Sequence, residues 1–174
     1  MDRPIYNFFT NDHERIDKLL DRAVKNPKAI DLELYHRFRV GLLTHIKMEE
    51  KILFPAAVLG NGGQPIPLAA KLRLDHGALT ALMTIEPQMK MVKVLKHILE
   101  VHDQLEEEEG GMYDMCENLT RHQTAEVMEK LSKVSKVPVH PFNTHPVVFE
   151  AMKRALLRAG FDYDKLAETL DLNS

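Results

Sequence analysis

The 174-residue chain has one cysteine, Cys116. That excludes an internal disulfide and any metal site built from several thiolates. Tryptophan is absent, and aromatic residues make up only 6%. No apolar run approaches the roughly 20 residues of a bilayer span, so no membrane association is expected. The start, Met1-Asp2-Arg3-Pro4, lacks the apolar core of a signal peptide, so the expected location is the cytoplasm. Basic residues are not in excess: Lys+Arg number 23 against Asp+Glu 26, a net charge of -3. A nucleic-acid partner, which needs a basic stripe or surplus, is therefore not expected. Strand signals are missing too, since no segment alternates apolar and polar residues for long.

What remains is a helical, histidine-rich chain. Apolar residues reach 44%, enough for a core, and there are nine histidines. With so little thiol, a transition metal here would take imidazole and carboxylate ligands. Leu, Met, Lys, Glu and Ala dominate long segments in which Gly and Pro are scarce. The periodicity predicts helices at about 11–26, 31–54, 67–85 and 87–118. Asp31 caps the second, Pro55 stops it, and Gly110-Gly111 weakens the fourth. A fifth helix is predicted at about 122–135. Val137-Pro138-Val139-His140-Pro141 reads as a linker, and two short helices follow at about 146–159 and 163–171, split at Gly160. The fold class is all-α: an up-down-up-down four-helix bundle with additional short C-terminal helices. Residues 1–136 form the bundle unit and 137–174 a linker and helical appendage. Val147, Val148, Met152, Ala155, Leu156 and Ala159 make an apolar face on that appendage, suited to a homodimer.

Four histidines lie on the inward stripes, where positions three, four and seven apart share a face. His13 precedes Ile16 and Leu20. His45 and Glu49 sit in the stripe Phe38, Leu42, Ile52. His76 sits between Leu72 and Leu79, and His102 and Glu106 follow Leu95 and Ile98. One core histidine is ordinarily just a hydrogen-bonded residue, and H-x-x-x-E alone is a weak signal that occurs three times here. The context repeats, however. Asp12-His13 is followed by His45-x-x-x-Glu49-Glu50, and Asp75-His76 by His102-x-x-x-Glu106-Glu107. Two such helical hairpins, packed together, predict a pseudo-twofold site of four histidines and two carboxylates. Burying two unpaired carboxylates costs several kcal/mol each, and two divalent cations remove that cost. Each cation would take two imidazoles, with Glu49 and Glu106 bridging. With one solvent-derived bridge, each would be about five-coordinate and keep an open position. The donor set suits iron or manganese, with zinc acceptable.

At these residues the chain resembles the hemerythrin family, specifically the bacterial HHE cation-binding domains. The motifs are Asp12-His13, His45-x-x-x-Glu49-Glu50-x-x-Leu53-Phe54-Pro55, Asp75-His76 and His102-x-x-x-Glu106-Glu107, within about residues 5–120. The resemblance implies a non-haem, oxo- or hydroxo-bridged di-iron centre in a hemerythrin-like four-helix bundle. It carries the ligand role onto His13, His45, Glu49, His76, His102 and Glu106. Two departures stand out. Oxygen-carrying hemerythrins have a second histidine one turn after that of helix 3, where this chain has Thr80. They use an Asp five residues after the helix 4 histidine, where this chain has Glu106 at four and Glu107 at five. The set is more similar to iron-centre repair proteins and iron-sensing hemerythrin domains, although the repair proteins' Cys-containing N-terminal domain is absent.

The remaining candidates carry less. A ferritin-like centre needs two E-x-x-H motifs, and only Glu33-x-x-His36 occurs. His36, His97, His122, His140 and His145 fall outside the site. Glu107 and Glu108 are expected in solvent and Cys116 as an inert buried thiol. Tyr6, Phe8, Phe9, Phe38 and Phe54 are expected to close the core ends, with shaping of an O2 pocket around the ligands as the alternative. Two functional classes stay open. One is a protein that binds or senses a small diatomic ligand, O2 or NO, or that stores and donates iron for repair of iron centres. The other is a di-iron enzyme acting on peroxide or NO, for which no acid, base or electron-transfer partner is assigned.

Overall fold

The computed structural model describes residues 2–172; Met1, Asn173 and Ser174, at the ends of the two predicted units, lie outside the described residues. Among the described residues every regular element is helical. The order is α1 (Pro4–Ala23), α2 (Leu32–Met48), a π-helical turn (Glu49–Leu53), α3 (Phe54–Gly60), α4 (Ala69–Leu82), α5 (Met89–Glu107), α6 (Met112–Thr120), α7 (Thr124–Ser132), α8 (Pro146–Ala159) and α9 (Tyr163–Leu172). Helices α1, α2, α4 and α5 are the four long rods of the bundle.

Three boundaries differ from the sequence reading. Helix α1 begins at Pro4, not near residue 11. Proline suits the first helical turn, and Ile5 and Phe9 extend the buried stripe upstream of His13. The free N–H groups of Ile5 and Tyr6 donate to Glu117 Oε2 at 2.9 and 3.0 Å, so α6 caps α1. The second helix does not stop at Pro55. The π-turn just before it widens the winding, and Phe54 N–H bonds five residues back to the Glu49 carbonyl. This accommodates a proline that cannot donate, and the rod continues as α3 to Gly60. The fourth helix is not merely kinked at the glycine pair. It ends at Glu107, and Gly110, with φ +78°, turns the chain into α6.

Two apolar clusters sandwich a polar layer. One is built from Ile16, Leu20, Phe38, Leu79, Leu95 and their neighbours, and α8 and α9 join it through Met152, Leu156, Ala159 and Ala167. The other contains Ile5, Phe9, Leu53, Phe54, Leu72, Met112 and Tyr113. The apolar face of α8 therefore packs within the chain, chiefly on α4. Gly160, with φ +94°, ends α8 as a left-handed cap and turns the chain into α9. Lys71 of α4 fastens this corner. It donates to the Ala159 carbonyl at 3.1 Å and pairs with Asp75 of its own helix.

Candidate metal centre

The layer between the two clusters contains all six predicted residues. Each long rod contributes one imidazole: His13 from α1, His45 from α2, His76 from α4 and His102 from α5. Glu49 opens the π-turn and Glu106 lies in the last turn of α5, and both are fully buried. Each glutamate offers one oxygen to each half of the site. Glu49 Oε1 lies 3.3 Å from His45 Nε2, and its Oε2 lies 3.1 Å from His76 Nε2. Glu106 Oε2 lies 3.5 Å from His13 Nε2, and its Oε1 lies 3.3 Å from His102 Nε2. Two overlapping groups result, His13/His45/Glu49/Glu106 and Glu49/His76/His102/Glu106. In each, the donor atoms fall within 4.8 Å of one another, close enough to hold a cation.

The pattern of bonding fits a cation better than it fits the protein alone. Glu49 Oε2, His76 Nε2 and Glu106 Oε1 are buried and make no hydrogen bond. Such atoms are costly unless something binds them. Protonation is strained as well. Burial opposes ionisation of Glu49, but His45 and His76 outweigh it and hold the carboxyl well below its usual range. Burial and the neighbouring Glu49 and Asp103 push Glu106 well above it. Burial lowers His45 and His76, but the carboxylates around them win and lift each to about 9. Burial keeps His102 below the usual histidine range. Neutral or ionised as the case requires, these donors are those a divalent ion would equalise.

Behind the imidazoles stands a second set of carboxylates. His45 Nδ1–H donates to Asp12 Oδ2 at 3.0 Å, His76 Nδ1–H to Glu50 Oε1 at 2.9 Å, and His13 Nδ1–H to Glu107 Oε1 at 2.6 Å. His102 Nδ1 faces Asp75 Oδ2 at 3.6 Å. These contacts fix the rings with Nε2 towards the centre, the arrangement that metal-ligating histidines use. The repeated D-H and H-x-x-x-E-E motifs thus have a division of labour. The Asp of each D-H faces the histidine of the next long helix, bonded in the case of Asp12 and His45, and the last Glu of each E-E bonds a D-H histidine. Glu107, expected in solvent, is half-buried and bonded to His13.

Aromatic rings wall the site rather than only capping the core ends. Phe9 meets His45 edge-on at 5.3 Å, and Phe54 stacks on His76 at 6.2 Å. Tyr113 of α6, absent from the sequence reading, puts its hydroxyl inside the first group of donors. It donates to Glu49 Oε1 at 2.7 Å or Glu106 Oε2 at 2.9 Å. Its position seven residues after Glu106 was the only hint, and the glycine break between them hid it. His36, His122, His140 and His145 are exposed and His97 is half-buried, all away from the centre. Cys116 is buried and free.

Comparison with known families agrees with this geometry. Residues 5–85 match the family model of the hemerythrin HHE cation binding domain. Over that segment the chain is similar to the hemerythrin HHE family. The matched span contains His13, His45, Glu49 and His76. His102 and Glu106 lie beyond it, and the fold brings them beside the other four. No curated protein and no solved structure matches the chain. No helix among the described residues is long and apolar enough to cross a membrane.

Proposed function

We propose that the chain is a non-haem di-iron protein that binds or senses a small ligand, O2 or NO, at a centre held by His13, His45, Glu49, His76, His102 and Glu106. The observation that carries this reading is the double use of both glutamates, each with one oxygen in each half of the site. Such sharing suits two cations side by side. Iron fits the imidazole and carboxylate donors, with manganese or zinc as chemically acceptable substitutes. A bound iron pair supplies reversible redox chemistry and a place for a diatomic ligand or peroxide. The protein's own part is to exclude water with the two apolar clusters and to lock three imidazoles through Asp12, Glu50 and Glu107.

A second reading, iron storage or donation, has its own support. A groove of about 520 Å³ lies between α1 and α5, lined by Asp17, Asp21, Glu100, Asp103 and Glu107 among others. Asp103, one of its lining residues, has Oδ1 3.8 Å from His13 Nε2. A groove rich in carboxylates concentrates cations, and two of its residues, Asp103 and Glu107, lie beside His13. Absorption spectra of iron-loaded protein, taken before and after O2, NO and peroxide, separate the readings. A reversible change with O2 or NO supports binding or sensing. Turnover of peroxide or NO supports an enzyme, and iron released to a chelator at a rate set by the groove's charges supports donation.

A further inference from the structure

The two halves of the centre are unequal, and the inequality is Tyr113. Its Oη lies 2.7 Å from Glu49 Oε1, 2.9 Å from Glu106 Oε2, 3.1 Å from His13 Nε2 and 3.2 Å from His45 Nε2. Those are the four donors of one group. Any ion that they share is within reach of the phenol oxygen. Among the described residues the other half has no counterpart: three of its four donors, Glu49 Oε2, His76 Nε2 and Glu106 Oε1, make no hydrogen bond. Its aromatic neighbour, Phe54, brings a ring with no heteroatom.

We infer that Tyr113 is a seventh protein ligand of the centre, binding through its phenol oxygen the cation held by His13 and His45. This rests on the di-metal reading above and deepens it. A role as hydrogen-bond donor alone explains the geometry poorly. One phenol has one proton, yet the oxygen faces two carboxylate oxygens and two imidazole nitrogens at once. The ring is held for the task. It is fully buried, stacked on Phe9 at 5.1 Å and met edge-on by Tyr6 at 6.3 Å. Gly111 is the N-cap of α6, two residues before it, so the glycine break after α5 also aims the tyrosine back at Glu106. When the oxygen–metal bond forms, the O–H bond breaks and its proton leaves to solvent. The ion supplies the charge that keeps the phenolate.

The consequence is a functional asymmetry. Tyr113 adds an oxygen to the His13/His45 half alone. The His13/His45 ion is then filled by protein, and a small exogenous ligand is directed to the His76/His102 ion.

The test is resonance Raman and visible absorption of the full chain loaded with iron and oxidised in air, with iron content measured on the same samples. The expected result is a visible phenolate-to-iron charge-transfer band whose excitation enhances tyrosinate ring vibrations. These shift when the protein is grown with ring-deuterated tyrosine, a measurement that needs no variant. Tyr113→Phe is expected to keep about two irons and lose the band, and Tyr6→Phe to keep both. Two irons without tyrosinate vibrations overturns the ligand role of Tyr113 while leaving the di-iron centre standing. A band that survives in Tyr113→Phe also overturns it. A chain that takes up no iron overturns the centre and this inference with it.

Discussion

Stripping the metal and raising the pH from 6.5 to 9 is predicted to destabilise the protein steeply. In the metal-free fold His45 and His76 are lifted to about 9 by their carboxylates, against 6.5 for an ordinary histidine. Below pH 6.5 both the folded and the unfolded chain carry these protons, and the stabilisation is fully present. Between 6.5 and 9 the folded state holds protons that the unfolded state has lost, so stability falls with rising pH. One pKa unit is about 1.4 kcal/mol, so each imidazole contributes roughly 3 kcal/mol. Both draw on Glu49, so the pair together is worth between about 3 and about 7 kcal/mol. Glu106, raised well above its usual range, acts in the same direction. His102, which is lowered, and Glu49, which is lowered, have completed their changes below this window. The loss is large against a typical total of about 5–15 kcal/mol. The assay is urea unfolding of chelator-treated protein, followed by circular dichroism at pH 6.5, 7.5, 8.5 and 9. Metal-loaded protein is predicted to show no such fall, because ligating imidazoles are already neutral. Metal-free stability that stays level or rises across this window refutes the charge assignment in the centre.

Two further predictions follow from neighbouring contacts. Asp12→Asn and Glu50→Gln remove the carboxylates behind His45 and His76, and each is expected to weaken metal affinity about 10–100-fold in chelator competition while the fold persists. Unchanged affinity in both would remove the orienting role. A Cβ at Gly60 would lie 2.2 Å from the Leu119 carbonyl oxygen, a backbone atom that cannot swing aside. Gly60→Ala is therefore expected to cost about 1–3 kcal/mol by prising α3 from α6, and a thermal midpoint equal to that of the parent would contradict this packing.

Much of the centre was legible in the sequence because its donors interrupt apolar stripes at helical spacing. His13, His45, His76 and His102 each fall in phase with leucines and isoleucines, and the repeated motifs tied them to Glu49 and Glu106. What escaped the sequence depends on local winding and on crossings between helices. The π-turn at Glu49–Leu53 carries the helix through Pro55, a residue that normally ends one. Glu107 is adjacent to Glu108 in a polar run, and only the crossing of α1 over α5 shows that one bonds His13 and the other is exposed. Tyr113 lies beyond a chain reversal at Gly110, so no helical phase relates it to Glu106. The apolar face of α8 was read correctly as apolar. Periodicity does not name the surface it meets, and the fold supplies α4.

The central claim is two ions on shared glutamates, and iron content per chain tests it most directly. Protein loaded with ferrous iron without oxygen, then freed of excess, is predicted to hold two irons per chain. Glu49→Ala, which takes a donor from both halves, is predicted to hold at most one. Parent protein that retains no iron, or a Glu49→Ala variant that still retains two, would contradict the account.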